Sequence, residues 1–219
     1  MAEKYGTVPP KYTAKWWQYI WDYYKWHIII TVVALLVASV TIVQCATRPK
    51  YDMNVVYAGH KNYTEREAED IENLVAQYIT DIDGNGENSV LFQPLVFMDS
   101  NGSAEYDYAV QTKLDMTFLD DCSFIYLMDK EQAQIYLQRD SIQDSFEDVS
   151  KWAGETSAEV LKAEDDTGYA VSLADSALFK EKNIYCDDLY IMVSRNYKDD
   201  EANVKAHEDS LNAAAMLIK

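Results

Sequence analysis

The sequence predicts an α/β protein: one N-terminal transmembrane helix followed by a single three-layer α/β domain, its sheet mixed or mostly parallel with about five strands. Three observations carry this. Residues 28–46, IIITVVALLVASVTIVQCA, hold no charged side chain and at about 1.5 Å rise per residue match a hydrocarbon core of about 30 Å. Beyond them, strand-like runs alternate with helical patterns through three successive units, which calls for crossover connections and a sheet covered on both faces. With 219 residues, 48% of them hydrophobic, the chain can fill one core and carry one attachment.

Residues 1–10 read as a disordered cytoplasmic tail. Residues 11–27, KYTAKWWQYIWDYYKWH, place Lys11, Lys15, Gln18, Asp22 and Lys25 on one polar stripe of a helix. The other faces carry Trp16, Trp17, Tyr19, Trp21, Tyr23, Tyr24 and Trp26, whose apolar rings and polar N–H or O–H tips favour the membrane–water interface. The segment is expected to lie among the headgroups before the chain turns inward. It serves as an anchor belt or as a docking face for a partner membrane helix.

The span itself has two rivals. A cleavable signal peptide needs a shorter, less aromatic leader and an A-x-A site, and neither is present. A lipoprotein reading of Cys45 lacks the small residue required before it. Lysines ahead of the span place the N-terminus in the cytoplasm and residues 53–219 outside the cell membrane, Arg48 and Lys50 narrowing the contrast. Residues 47–52 form a short linker.

Charge divides the chain. The total is −18, and residues 1–46 carry four lysines against Glu3 and Asp22, so residues 47–219 hold −20. A domain so acidic repels nucleic acid. Cys45, Cys122 and Cys186 show no CxxC pair and no Cys/His cluster, which speaks against zinc. Cys122 and Cys186 could meet across a sheet or stay as buried thiols.

Residues 51–59 read as a strand closed by glycine. Thr64 and Glu67 make a capping box for a helix with Ala68, Ile71, Leu74, Val75, Tyr78 and Ile79 inward. Residues 89–98 form a second strand whose Pro94 asks for an edge or a bulge. A polar loop containing Asn101 and Gly102 precedes a helix over 104–119, and residues 122–129 are the most apolar strand, expected at the centre. Asp129 and Gln132 cap a helix running to about Arg139, and an amphipathic turn follows around Phe146 and Val149. Strands at 168–173 and 188–194 precede a last helix from about Asp200, with Val204, Leu211, Ala214 or Ala215, and Ile218 inward.

Two resemblances rest on these segments. WWQYIWDYYKWHIII resembles the start of a group of uncharacterised single-span membrane proteins of Gram-positive, clostridial-type bacteria. TKLDMTFLDDCSFIYLMDKEQAQIYLQRDSIQDSFEDV, with YAVSLADSALF and DLYIMVSR, loosely resembles one lobe of an extracellular solute-binding protein. That likeness implies a helix leading to a strand near a bound position, a short helical stretch, then strands returning to the sheet. The chain is too short for both lobes.

The loop DIDGNGE invites calcium. Asp81, Asp83 and Asn85 fall at positions 1, 3 and 5 of a calcium-binding loop, Gly86 at the sharp turn, and Glu87 would offer its carbonyl. Phe92 stands where the closing glutamate belongs, so this is only the front half of such a loop; the alternative is a helix end and turn using Asn and Gly. His60, after Gly59, sits where loops of open α/β sheets carry ligands. No GxSxG, HExxH, P-loop or GxGxxG occurs. The pairs Asp120/Asp121, Asp165/Asp166, Asp187/Asp188 and Asp199/Asp200 read as capping or solvated carboxylates.

The expectation is a non-enzymatic, membrane-anchored extracytoplasmic binding domain for a small solute or a membrane-protein partner, with calcium bracing one loop. The alternatives are a carboxylate- or metal-dependent hydrolase and a structural subunit of a membrane complex.

Overall fold

The computed structural model describes residues 9–46, 51–82, 84–98, 103–119, 122–139 and 141–219, the side chains of 22, 23 and 44–46 excepted. The chain divides into two compact units, Met1–Pro49 and Lys50–Lys219.

The first unit is one helix, α1 (Ala14–Ala46). Within it Tyr24–Val43 is long and apolar enough to cross a membrane, and none of that stretch is buried against protein. Residues 11–27 and 28–46 do not form separate helices, because neither Gly nor Pro interrupts 11–46. Thr31, Ser39 and Thr41 return their hydroxyls to the carbonyls of His27, Leu35 and Val37, which satisfies these groups inside the helix.

The second unit contains a six-stranded sheet, not five, in the order β2-β1-β3-β6-β5-β4. Its strands are β1 (Met53–Gly59), β2 (Val90–Val96), β3 (Ser123–Asp129), β4 (Val160–Lys162), β5 (Gly168–Ser172) and β6 (Leu189–Val193). β2 and β3 flank β1 in parallel, while β6 joins β3 antiparallel and leads through β5 to β4. The unpredicted strand is β4. Three residues are too few to show alternation, and only the turn before Gly168, with Asp166 at φ 64°, marks the hairpin.

Every residue of β1 and β3 is buried, as central strands covered on both faces require. Alternation then sorts their side chains. Met53, Val55, Tyr57, Ile125 and Leu127 meet Ile71, Leu74 and Val75 of α2 (Glu65–Ala76) and Ala213, Ala214 and Leu217 of α7 (Glu201–Leu217). Val56, Ala58, Tyr126 and Met128 meet Val110 and Leu114 of α3 (Ala104–Thr117), Ala133 and Tyr136 of α4 (Lys130–Leu137), and Ile142 of α5 (Ile142–Ser145). A short α6 (Ala177–Glu181) is tied to the end of α7 by Ser176 Oγ donating to the Leu217 carbonyl.

The buried stripe of α7 is rotated slightly from the expected one: Val204 is 40% exposed, Ala214 is buried and Leu211, Ala215 and Ile218 pack partly buried against the core as expected, and Asn203, Ala206, Asp209, Ser210, Ala213 and Leu217 fill the buried face. Polar anchors set this rotation: Asp200 caps Asn203 N–H, and the Asp209 carboxylate accepts from Thr80 N–H and Oγ1 at 2.9 and 2.6 Å. Small residues on the buried stripe let the helix lie close to β3 and β6.

The sheet edges are guarded. β2 is an edge strand, as Pro94 demands; Pro94 offers no N–H and Phe92 N–H is taken by Glu72 Oε1 at 2.8 Å. The opposite edge, β4, is short and carries Lys162. Cys122 and Cys186 do not pair with each other. Each precedes one of two antiparallel neighbours, which puts them at opposite ends of the sheet.

Candidate functional site

At the carboxyl end of β1 the chain leaves through α2 on one face of the sheet, and at the carboxyl end of the adjacent β3 it leaves through α4 on the other. This divergence marks a topological switch point between β1 and β3, the kind of place where open α/β sheets hold ligands.

Asp129 ends β3 and its Oδ1 caps α4 by accepting from Gln132 N–H at 2.8 Å. Its Oδ2 accepts the backbone N–H of His60 at 2.9 Å and lies 2.7 Å from His60 Nδ1. An acceptor carboxylate there fixes the proton on Nδ1 and holds the ring plane. The loop after β1 and the end of its parallel neighbour β3 are thereby locked together.

Gly59 makes the approach possible, since a Cβ there would fall 2.8 Å from Asp129 Oδ2 and collide with the Tyr57 hydroxyl. Tyr57 Oη accepts Lys61 N–H at 2.9 Å, which shapes the loop after β1. Burial pushes the Tyr57 phenol far above its ordinary range, the Asp129 charge adding to the effect, so it stays a neutral hydroxyl.

Lys61 Nζ pairs with Glu67 Oε1 at 3.1 Å and lies 5.1 and 4.8 Å from the ring centres of Tyr63 and Tyr185. Lys130 Nζ pairs with Glu159, which also accepts from Tyr190 Oη. The Asp188 carboxyl is raised by burial and then by the nearby Asp129 charge. On the β2 side of this point, between the ends of β1 and β2 and the start of α3, a pocket of about 290 Å³ is lined by His60, Asn62, Val96, Phe97, Met98 and Tyr106.

The DIDGNGE loop lies at the other end of the parallel strands, leading into β2. Asp81 Oδ1 accepts the N–H groups of Gly84 (2.7 Å) and Asn85 (3.2 Å), and Oδ2 that of Gly86 (2.7 Å). Asn85 Oδ1 accepts Glu87 N–H, and Glu87 is exposed. Asp83 lies outside the described residues. Among the described residues no group of three His, Cys, Asp or Glu side chains converges as a metal site.

In the collar, Trp17, Trp21, Tyr24 and Trp26 are exposed, and Trp16 and Tyr19 partly so. Tyr23 lies on α1 with its side chain outside the described ones. The acid pairs are dispersed. Asp165 and Asp166 occupy the β4–β5 turn, Asp187 and Asp188 precede β6, Asp200 caps α7, and Asp120 and Asp121 lie outside the described residues. The sequence marked His60 by its place after a strand and Asp129 only as a helix cap. No family model, no curated protein and no solved structure matches the chain.

Proposed function

We propose that this chain is a single-pass membrane protein, N-terminus in the cytoplasm, that presents an extracytoplasmic α/β domain for binding a small ligand in the crevice between the carboxyl ends of β1 and β2. The observation that carries the reading is the His60–Asp129 lock at the switch point. It rigidly orients a polar side chain at the wall of a crevice, the arrangement expected of a preformed small-molecule site. The element order α3, β3, α4, α5, β4, β5, α6, β6 also supports a lobe-like binding module.

Anchoring rests on α1. Its apolar stretch is flanked on the N-terminal side by lysines and exposed aromatic rings, the pattern of an interfacial anchor with positive charge inside. The partner is then the lipid bilayer, with the domain held outside it.

Protease added to intact cells tests the placement. Digestion of residues 51–219 with retention of a membrane-bound N-terminal fragment is expected. A fully protected domain, in cells whose exported control protein is degraded, overturns the orientation. Substituting Leu36→Arg, which costs about 2.5–3.5 kcal/mol at a helix centre, should release the chain from carbonate-washed membranes.

A further inference from the structure

We infer that Asn85 is a self-modifying site: its side-chain carbonyl is attacked by the peptide nitrogen of Gly86 and loses ammonia, with Asp81 as the base and Glu87 N–H as the donor to the developing oxyanion. Water is the only co-reactant. The reaction belongs to the loop alone and is independent of what the β1–β2 crevice binds.

Sequence supplies the reacting pair. Gly86 follows Asn85 and has no side chain to shield the nitrogen between them; it stands at φ 91° with open space where a Cβ would lie. The loop then sets the geometry. Asn85 Oδ1 accepts Glu87 N–H at 2.7 Å, which folds the side-chain carbonyl back across the intervening Gly86 peptide. That N–H lies where negative charge grows as the carbonyl carbon is attacked. On the nucleophile, Gly86 N–H donates to Asp81 Oδ2 at 2.7 Å, within reach for proton transfer. Asp81 is fixed through its other oxygen, which accepts Gly84 N–H at 2.7 Å and Asn85 N–H at 3.2 Å. Asn85, Gly86 and Glu87 are exposed, so water reaches the product.

The atoms balance within the loop and one water. Gly86 N passes its proton to Asp81 and bonds to Asn85 Cγ. The Cγ–Nδ2 bond then breaks, and the proton returns from Asp81 to the departing nitrogen, which leaves as ammonia. Water opens the cyclic imide at either carbonyl. Residue 85 ends as aspartate or, where the chain is rerouted through its side chain, as isoaspartate. Nucleophile and carbonyl belong to adjacent residues that the loop holds together, so no encounter has to be paid in entropy. The product sets a new carboxylate beside Asp81.

The full-length chain in lipid nanodiscs, aged at neutral pH and digested for mass spectrometry, tests this against the same chain unfolded in urea and detergent. Conversion at Asn85 is expected to run about tenfold faster in the folded chain. Asp81→Asn keeps an oxygen to accept N–H groups but removes the base, and should bring the folded rate down to the urea rate, a melting curve showing that the variant is folded. Equal rates in the folded and unfolded parent would reduce the site to its dipeptide and overturn the inference. Slower conversion in the folded parent would overturn it as well, because the same hydrogen bonds would then shield the amide. Fast conversion that persists in folded Asp81→Asn removes Asp81 as the base. The ratio in the parent needs no variant, so the role of the loop is decided even where Asp81→Asn does not fold.

Discussion

His60 Nδ1 lies 2.7 Å from Asp129 Oδ2, across 69 residues of sequence, and the same oxygen accepts His60 N–H. One carboxylate therefore closes the loop after β1 and, through its other oxygen, opens α4. Asp129→Ala removes a cap of about 1 kcal/mol and charge-assisted hydrogen bonds of about 1.5–3 kcal/mol. A loss of about 2–4 kcal/mol in urea unfolding is expected, with Asp129→Asn, which keeps the capping oxygen, losing about half as much. Equal losses for the two would mean that the negative charge carries the whole effect and the capping oxygen adds nothing.

Gly59→Ala tests the same place through the backbone. The added methyl would strike the Tyr57 hydroxyl and Asp129 Oδ2, and both belong to side chains packed in the core. Overpacking of this kind costs about 1–3 kcal/mol. Beyond the stability loss, the His60 ring should lose its orientation, seen as a changed imidazole chemical shift. An unperturbed His60 signal in the folded variant would show that Gly59 does not hold the lock open.

What the sequence made legible follows from physical range. β1 and β3 announce themselves because burial on both faces requires continuous apolar runs, and Pro94 gives away the edge because a missing N–H is tolerated only there. β4 hides because three residues carry no period. The rotation of α7 hides because it is set by Asp209 reaching Thr80, 129 positions away. His60 could be placed at a ligand-bearing loop, but its partner depends on β3 lying beside β1, and nothing local in either strand encodes that neighbour.

His207 gives the domain an acid-side weakness. Its Nε2 is buried without a hydrogen-bond partner among the described residues, 3.9 Å from Glu147 Oε1, and its ring meets Phe124 edge-on. Burial lowers its pKa below the ordinary 6.5 and outweighs the opposing pull of Glu147, with Lys151 adding to the lowering. A His lowered in the folded state contributes stability above 6.5 that is lost as the pH falls through the folded value, because the unfolded chain then binds the proton more readily. His207→Phe should therefore shrink the difference in urea midpoint between pH 7 and pH 5. An unchanged difference would assign the acid sensitivity to carboxylates elsewhere.

The loop at 81–87 separates two ways of bracing a turn. Gly84 at φ 75° and Gly86 at φ 91° aim their N–H groups at Asp81, whose two oxygens accept three such bonds with Asn85 included. Asp52 pins both ends of the loop by accepting from Ile82 N–H and Ser89 N–H at 2.8 Å, and Asn88 donates back to the carbonyls of Ala76 and Ile79. Such a loop closes on its own hydrogen bonds. Asp81→Ala should then cost about 1–3 kcal/mol, by the same amount in EDTA and in millimolar calcium, since the lost partner is the backbone. Calcium bracing makes the opposite demand: the parent chain would melt higher in calcium than in EDTA, and the gap would vanish in Asp81→Ala and in Asp83→Ala alike. Asp83→Ala is the second arm: a calcium-dependent gain of the parent that is lost at Asp83 as well as at Asp81 would assign both carboxylates to the cation.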